Sequence, residues 1–229
     1  MSPTPDAKRP AGRPRSALLS RDRILQAAFA LSDEQGGEFT LAAVARSLGV
    51  RPQALHYYFP SREALVAAMR GQLTLRIGDH GFIDRPWFEA VHGWAFAYRE
   101  TLGRHSGLIA ALATLPVAGE PESIADYERI AASFARDGYP EHLILPAIVA
   151  LESFIIGSAL DALAPADNLR PHGGAAQAPV LAAAEQSASR AAAAAESSVI
   201  DLTFTFGLRA LVAGIREAGA VTTSGSEAH

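Results

Sequence analysis

The 229-residue sequence contains no cysteine, which excludes disulfide bonds and metal sites built on thiolates. No apolar run has the length of a signal peptide, and none has the length of a membrane span. The longest candidate, 142–163, is interrupted by Pro146, Glu152 and Asp161. Glycine-rich phosphate loops, nucleophile elbows and paired carboxylates in an evident cleft are missing too. These absences favour a soluble cytoplasmic protein that is not an enzyme, with no membrane partner, cofactor or metal.

Charge is unevenly distributed along the chain, although the net charge is only −4. Residues 1–70 carry 10 Lys and Arg against 6 Asp and Glu, a balance of +4, and the rest of the chain carries a balance of −8. A basic head on an acidic body is what phosphate binding through one end requires. The charge pattern therefore indicates nucleic acid as a partner of the N-terminal part.

The segment 40–65, TLAAVARSLGVRPQALHYYFPSREAL, has the pattern of a helix-turn-helix. Thr40 is a suitable cap for a first helix, in which apolar residues recur at three- and four-residue spacing up to Leu48. Gly49 stands where a helix end commonly needs a left-handed residue, and Pro52 suits the first turn of the next helix. The pattern predicts two short helices joined by a tight turn.

The second of these helices is predicted to span about two turns, which is enough to lie in a major groove. Leu55 and Phe59, four residues apart, are expected to face the core. Pro60 ends this helix, and Ser61 caps the one that follows.

This segment resembles the DNA-binding domain of the TetR family of bacterial transcriptional regulators. The matching residues run from SRDRILQAAFALSDEQGG at Ser20 through FTLAAVARSLGV to LHYYFPSREALVAAM. The aromatic end of the recognition helix, followed by Ser, a basic residue and Leu, is specific to that family. The resemblance is strong over roughly the first third of the chain, and the remainder matches the family only in its pattern of predicted helices.

The resemblance implies DNA contacts for Thr40, Arg51, Gln53, Ala54, His56, Tyr57, Tyr58 and Arg62. Thr40 and Arg62 are expected to bind phosphate, and both tyrosines to add phosphate contacts through their hydroxyls. Gln53, Ala54 and His56 are expected to face base edges, since Gln pairs with adenine and Ala touches a thymine methyl. Ala42 stands where some members place a base-reading Arg, so the operator sequence does not follow from the family.

Several of these residues also have a simpler interpretation. Arg51 either replaces the missing base contact or reaches phosphate only. Tyr57, Tyr58 and Phe59 could be core aromatics, and His56 an ordinary solvated residue. Helix-turn-helix units also occur in proteins that do not bind DNA, and the charge pattern is what favours the DNA-binding interpretation.

Residues 1–19 are rich in Pro and small residues and predict a flexible basic arm. The run GRPR, which contains Arg13 and Arg15, resembles the core of a minor-groove AT-hook. A Pro-stiffened strand with few Cβ atoms can lay Arg side chains into a narrow, electronegative groove. The alternative is a basic tail that raises affinity without reading sequence.

The whole chain predicts an all-α protein with an N-terminal three-helix helix-turn-helix domain and a C-terminal helical domain for ligand binding and dimerisation. The expected boundaries are 1–19 for the arm, 20–66 for the DNA-binding domain, 67–220 for the second domain and 221–229 for a disordered tail. Helices are predicted over 85–105, 106–114, 121–137, 140–163 and 180 to about 218.

A homodimer is predicted because paired recognition helices must reach half-sites about one DNA turn apart. The helix from Pro140 and the last helix resemble the pair that forms a four-helix bundle between subunits in the family. Small residues beside large ones allow close approach, and the predicted interface is Phe154, Gly157, Ser158, Phe206, Ala210, Ala213 and Gly214. Burial within one subunit is the alternative.

The family resemblance further implies a repressor that binds a palindromic operator and is released by a small-molecule effector. The effector pocket is expected to include Trp94, Phe96, Tyr98, His105, Leu112, Phe134, Ile148, Glu152 and Phe154, with His92 and His142 as further polar candidates. These mostly apolar residues favour a hydrophobic or aromatic ligand, although each is also explained as core or as a surface His. A DNA-binding regulator, activator or architectural protein without a ligand is the alternative.

Overall fold

A computed structural model describes residues 19–116, 120–165 and 175–226, with side chains described as far as residue 221 of the last helix. Its regular structure consists of α1 Arg21–Glu34, α2 Leu41–Ser47, α3 Pro52–His56, α4 Arg62–Ile77, α5 Trp87–Arg104, a 3₁₀ turn Ser106–Leu108, α6 Ile109–Thr114, α7 Pro121–Arg136, α8 Glu141–Asp161, α9 Pro179–Ala194 and α10 Val199–Ser226. The predicted all-α fold is confirmed. The predicted arm residues Arg13 and Arg15 lie outside the described residues.

The helices of the N-terminal head begin and end at local sequence signals. Ser20, Thr40 and Ser61 cap α1, α2 and α4, each accepting a hydrogen bond from the backbone N–H three residues later at 3.1–3.3 Å. Gly49 has a φ of 68° and provides the left-handed residue between α2 and α3. The predicted helix-turn-helix is therefore present.

Helix α3 is shorter than the sequence prediction. It ends at His56, so Phe59 lies beyond it, although Phe59 and Leu55 are both buried in the core as expected. The residue before a proline is disfavoured in the helical region, and Pro60 therefore ends the helix before two turns are complete. The Phe59 N–H still donates to the Leu55 carbonyl at 2.8 Å.

The core of the head extends past the predicted domain boundary at residue 66. Met69 and Leu73 of α4, together with Leu108 of the 3₁₀ turn, are buried in the same cluster as α1 and α2. Ile77, at the end of α4, is buried in the second core. Helix α4 therefore belongs to both cores, and the head packs directly on the body.

The second core is formed mainly by α5, α7, α8 and α10. Trp87 stacks on Phe134 with ring centroids 4.1 Å apart, and Tyr139 meets both rings edge-on. Arg99 of α5 forms an ion pair with Asp201 and lies over the Phe204 ring of α10. These contacts hold α10 against the body.

By length and composition, α8 could cross a membrane, with a mean hydropathy of 2.1 over its most apolar window. The prediction that no stretch reaches this length is wrong for α8, since Pro146 lies inside a continuous helix. Long core helices of non-membrane proteins meet the same criterion, and α8 packs against α5, α7 and α10. Taken together, α9 and the described part of α10 also meet this criterion of length and composition. The chain bends by 94° between these two helices.

The predicted helical run from 180 to about 218 is divided into α9 and α10. Glu196 lies between them with a φ of 50°, a conformation that ends a right-handed helix. Helix α10 then continues to Ser226. Residues 221–226, the first part of the predicted tail, lie within this helix.

The close approach of Gly37 and Gly107 provides a test of how the head sits on the body. A Cβ atom on Gly107 would lie 2.4 Å from the Gly37 backbone nitrogen, so Gly107→Ala must push the two loops apart. We expect the free energy of unfolding to fall by about 1–3 kcal/mol in urea denaturation. The control is Gly103→Ala, which meets open space in α5 and gains helix propensity. Equal stability of both variants would contradict the packing described.

Candidate nucleic-acid interface and ligand cavity

The residues predicted to contact DNA differ in how far they reach solvent. Thr40, Arg51, Gln53, His56 and Tyr57 are exposed. Ala54, Tyr58 and Arg62 are half-buried. Most of these residues are therefore exposed around α3, which is compatible with binding in a DNA groove. The DNA contacts of these residues stay predictions.

Two polar groups of this surface have their hydrogen-bonding roles fixed by neighbours. The Thr40 hydroxyl oxygen accepts from the Ala43 N–H at 3.1 Å, which leaves the hydroxyl proton free to donate. His56 Nδ1 lies 3.2 Å from the Pro60 carbonyl oxygen. Because a carbonyl only accepts, this bond assigns the proton to Nδ1 and leaves Nε2 of a neutral ring as an acceptor.

The adjacent tyrosines have different environments. Tyr57 is 86% exposed, so the alternative that it is a core aromatic is wrong. Tyr58 donates its hydroxyl proton to the Leu19 carbonyl at 2.8 Å, and Tyr57 meets its ring edge-on at 5.2 Å. Tyr58 thus holds the chain just before α1, and its hydroxyl is not a free phosphate donor in this structure.

Arg62 has a structural role that the sequence did not reveal. Its Nε donates to the Phe39 carbonyl at 3.0 Å, a terminal nitrogen donates to the Gly37 carbonyl at 3.1 Å, and its guanidinium lies over the Phe39 ring. These bonds attach the start of α4 to the loop before α2. The predicted phosphate contact would have to use the remaining donors of this group.

A cavity of about 150 Å³ lies in the body between α4, α5, α6, α7 and α8. Its lining consists of Arg70, Thr74, Ile77, Trp94, Tyr98, Leu112, Ala113, Leu115, Ser123, Asp126, Tyr127, Glu152 and Ile156. The predicted ligand residues Trp94, Tyr98, Leu112 and Glu152 therefore meet at one place. The lining is far more polar than the sequence prediction of a mostly apolar pocket.

Glu152 is the central polar group of the cavity. Its Oε1 accepts from the Tyr127 hydroxyl at 2.6 Å and from the Tyr98 hydroxyl at 3.4 Å. Burial raises the pKa of Glu152 above its ordinary value of 4.5, and the two phenol hydrogen bonds and Arg70 act in the opposite direction. Burial and the adjacent carboxylate also raise the pKa of both phenols.

A second carboxylate, Asp126, lies in the same cavity. Its Oδ1 is paired with Arg129 at 2.7 Å, and burial raises its pKa although Arg129 acts against this. The buried Trp94 Nε1–H makes no hydrogen bond of ordinary geometry, although it lies close enough to Asp126 to lower the pKa of that carboxyl somewhat. The Thr74 and Ser123 hydroxyls bond to each other at 3.1 Å.

Arg70 connects the cavity with the head. It belongs to α4, and its terminal nitrogens donate to the carbonyls of Leu112, Leu115 and Pro116 at the end of α6. The bonds to Leu115 and Pro116 measure 2.7 and 3.0 Å. Arg70 therefore joins the end of α6 and the cavity wall to a helix whose first turns pack in the head.

The other predicted ligand residues do not line this cavity. Phe154 stacks on Phe204 at 5.3 Å, and Phe96 meets Phe204 edge-on at 4.9 Å, so both pack against α10. Phe134 and Ile148 are plain core. An amphipathic pattern identifies the buried face of a helix but not the neighbour that it meets.

The predicted histidines also lie outside the cavity. His105 contacts Asp33 of α1 at 3.0 Å and Arg76 of α4 at 3.0 Å, at the junction of head and body. His142 is exposed, and the pKa of His92 is lowered by burial and by Arg209. Among the described residues, no group of three His, Asp or Glu side chains is placed to share a metal ion.

A larger, more open cleft of about 570 Å³ lies between the head and the start of α7. Burial raises the pKa of Glu120, whose carboxyl shares a hydrogen bond with Glu122. Glu120 also caps α7 by accepting from the Ser123 N–H at 2.7 Å. These contacts give Glu120 and Glu122 a structural role at the start of α7. The cavity between α4 and α8 is the stronger candidate for a ligand site because its polar groups converge.

The predicted dimer residues lie mostly on an uncovered face of α8 and α10. Gly157, Phe206, Ala210, Ala213 and Gly214 are exposed, and Ser158 is half-buried. An apolar groove beside them is lined by Tyr139, Leu143, Pro146, Ala147, Ala150, Ala210, Leu211, Gly214, Ile215 and Ala218. Phe154 differs from this set, because it lies against Gly207 of the same subunit. The interface itself stays a prediction.

Comparison with known proteins places these features in a family. Residues 24–69 match the family model for bacterial regulatory proteins of the TetR family, and residues 84–218 match that for the tetracyclin repressor-like C-terminal domain. No curated protein gave a significant match to the sequence.

Solved structures with the same fold cover nearly the whole chain. A possible TetR family transcriptional regulator from Streptomyces coelicolor A3(2) is 25% identical, with a TM-score of 0.71 over 87% of this chain and 100% of its own. ActR from Streptomyces coelicolor, in complex with actinorhodin, is 20% identical, with a TM-score of 0.70 over 89% and 99%. A variant of TetR from Acinetobacter baumannii AYE, in complex with minocycline, is 21% identical, with a TM-score of 0.62 over 88% and 99%.

Glu152→Gln tests the electrostatic cost of the buried carboxylate. Because the pKa of Glu152 is raised in the folded protein, the unfolded chain loses this proton first as the pH rises above about 4.5. Stability of the wild type should therefore fall relative to Glu152→Gln as the pH rises, and the difference should become independent of pH in acid. Urea unfolding at pH values from about 4 to 8 measures this.

The matched control is Glu128→Gln, an exposed position next to Tyr127 on α7. It removes one carboxylate without entering the cavity, so its stability difference from wild type should not follow pH in this way. Stability of the wild type that instead rises relative to Glu152→Gln as the pH rises would contradict the assigned direction.

Proposed function

The chain belongs to the TetR family of bacterial regulatory proteins, and we propose that it is a cytoplasmic, dimeric repressor that leaves its operator when a small molecule enters the α4–α8 cavity. The observation that carries this proposal is the position of Arg70. This residue lines the cavity, bonds to the end of α6 and belongs to a helix that is buried in the head. A ligand that alters α6 therefore changes the position of the DNA-binding head.

Ligand responsiveness is also supported by the fold relatives. ActR has been solved with (S)-DNPA and with actinorhodin, and the Acinetobacter baumannii TetR variant with minocycline. A ligand that binds better to one arrangement of the two heads shifts the population toward it, and DNA affinity falls if that arrangement does not match the operator. Members of this family are typically transcription factors without enzymatic activity, and we propose the same for this chain.

The proposed operator contacts are made by the exposed residues around α3. In this proposal Gln53 and His56, both exposed, read base edges, and Arg51 precedes the helix. Thr40 retains a free hydroxyl proton for a phosphate. A dimer brings two such surfaces to half-sites about one DNA turn apart. The operator is therefore expected to be palindromic.

A DNA-binding regulator without a small-molecule ligand is the second candidate, and the size of the cavity favours it. Ligand pockets commonly measure about 300–1,000 Å³, and this cavity measures about 150 Å³. Thermal-shift screening of a metabolite panel, followed by DNA release with each hit, separates the two. Persistent operator binding without any responsive compound would favour the ligand-free regulator.

Selection of bound sequences from random DNA tests the DNA-binding proposal. We expect an inverted repeat whose half-site centres are about 34–36 Å apart. Gln53→Ala should lower the preference for that repeat over random DNA by about 10- to 100-fold per half-site, since it removes a base contact. Gln186→Ala, at an exposed position of α9, is the control and should bind as wild type. Failure to bind any DNA at any salt concentration would refute the proposal.

The proposed dimer is tested by placing a charge on its apolar face. Phe206 is 76% exposed in the single subunit, and a dimer through α8 and α10 would bury it. Phe206→Glu should therefore shift the mass in analytical ultracentrifugation from dimer toward monomer, because an unpaired charge is costly to bury. Ile83→Glu, also at an exposed apolar residue but outside α8 and α10, should leave the dimer intact. Equal masses for both variants would exclude this interface.

A further inference from the structure

We propose that the α4–α8 cavity binds a small ligand that carries a protonated amine, with Glu152 as its counter-ion. This inference rests on the proposed function, since it names the chemical class of the effector for the same site. It adds a positive charge to the sequence prediction of a hydrophobic or aromatic ligand, because the lining contains several polar groups.

The direction of the hydrogen bonds at Glu152 leaves acceptors facing the cavity. Tyr98 and Tyr127 both donate their hydroxyl protons to Oε1, so these phenols offer a ligand only oxygen lone pairs. No described residue donates to Glu152 Oε2. Glu152 has no salt bridge among the described residues, although Arg70 is close enough to lower its pKa. A carboxylate held mainly by neutral hydrogen bonds is costly to bury, and an ammonium group beside it offsets that cost.

The nearby cations of the protein are already engaged. Arg70 donates to three backbone carbonyls at the end of α6, and Arg129 is paired with Oδ1 of Asp126. Asp126 is also part of the lining. The lining therefore has acceptors in excess, and a ligand must supply the donors.

The aromatic walls favour a cation for an independent reason. The Trp94 and Tyr98 rings meet edge-on with centroids 5.4 Å apart, and Tyr127 lies beside them on the lining. Indole and phenol faces attract ammonium groups, most strongly where water is excluded.

The volume limits the size of the ligand. At about 150 Å³ the cavity has room for a single-ring amine without rearrangement. Benzylamine, benzyl alcohol and benzoate are therefore suitable probes, because they share one ring and one size and differ in charge and donor groups.

Binding of the three probes to the full-length protein is measured by ligand-observed NMR and thermal shift. Benzylamine should bind at least about 10-fold more tightly than benzyl alcohol and benzoate, since only the amine forms charged hydrogen bonds with Glu152. Glu152→Gln should weaken benzylamine binding by about 10- to 100-fold. The control Glu128→Gln should bind benzylamine as wild type.

Three results would overturn the assignment: benzyl alcohol or benzoate binding as tightly as benzylamine, unchanged benzylamine affinity in Glu152→Gln, or no binding of any probe at millimolar concentration. Operator release is measured separately. Benzylamine binding that depends on Glu152 but leaves the operator bound would support the amine site and contradict the ligand-released repressor. Release of the operator by a non-cationic compound, without any effect of benzylamine, would support the ligand-released repressor and contradict the amine site.

Discussion

Helix α4 is buried by both hydrophobic cores, and this shared burial constrains how the head and the body can move. Its first turns pack with α1 and α2, and its last turn packs in the body through Ile77. Arg70, between these regions, holds the end of α6, and Thr74 bonds to Ser123 of α7. Packed interiors deform little, so a displacement of α6 or α7 has to move α4 as a unit. The helix that carries the head is therefore in direct contact with the walls of the cavity.

The second constraint is the polar cavity inside an otherwise apolar body. A buried carboxylate is stable only when its hydrogen bonds are satisfied, and two tyrosines supply these bonds to Glu152. This arrangement leaves the site acceptor-rich and electrostatically sensitive. Burial thus creates a local cost that the proposed amine ligand would offset, and Arg70 would carry any resulting shift of α6 to α4.

Local signals in the sequence were sufficient for the head, because caps, prolines and glycine act within a few residues. Thr40, Gly49 and Pro52 predicted the helix-turn-helix correctly, whereas Pro60 ended α3 earlier than its apolar spacing indicated. The cavity could be predicted only in part. Every aromatic residue on an amphipathic helix fits a core, a pocket or an interface equally well, and long-range packing decides which. Phe96 therefore joined α10 instead of the cavity.

The composition of α8 alone does not show whether this helix lies in a helical bundle or in a membrane. One side supplies Ile148 and Ile155 to the core and Glu152 to the cavity, while Leu145 and Val149 remain exposed in the single subunit. A helix that is apolar on nearly every side and carries one buried carboxylate fits a bundle better than a lipid environment, because that carboxylate is already bonded within the body. If the exposed side of α8 packs against a second subunit, one helix joins the ligand site to the dimer axis. A ligand at Glu152 would then act on the spacing of both heads through α8 as well as through α4.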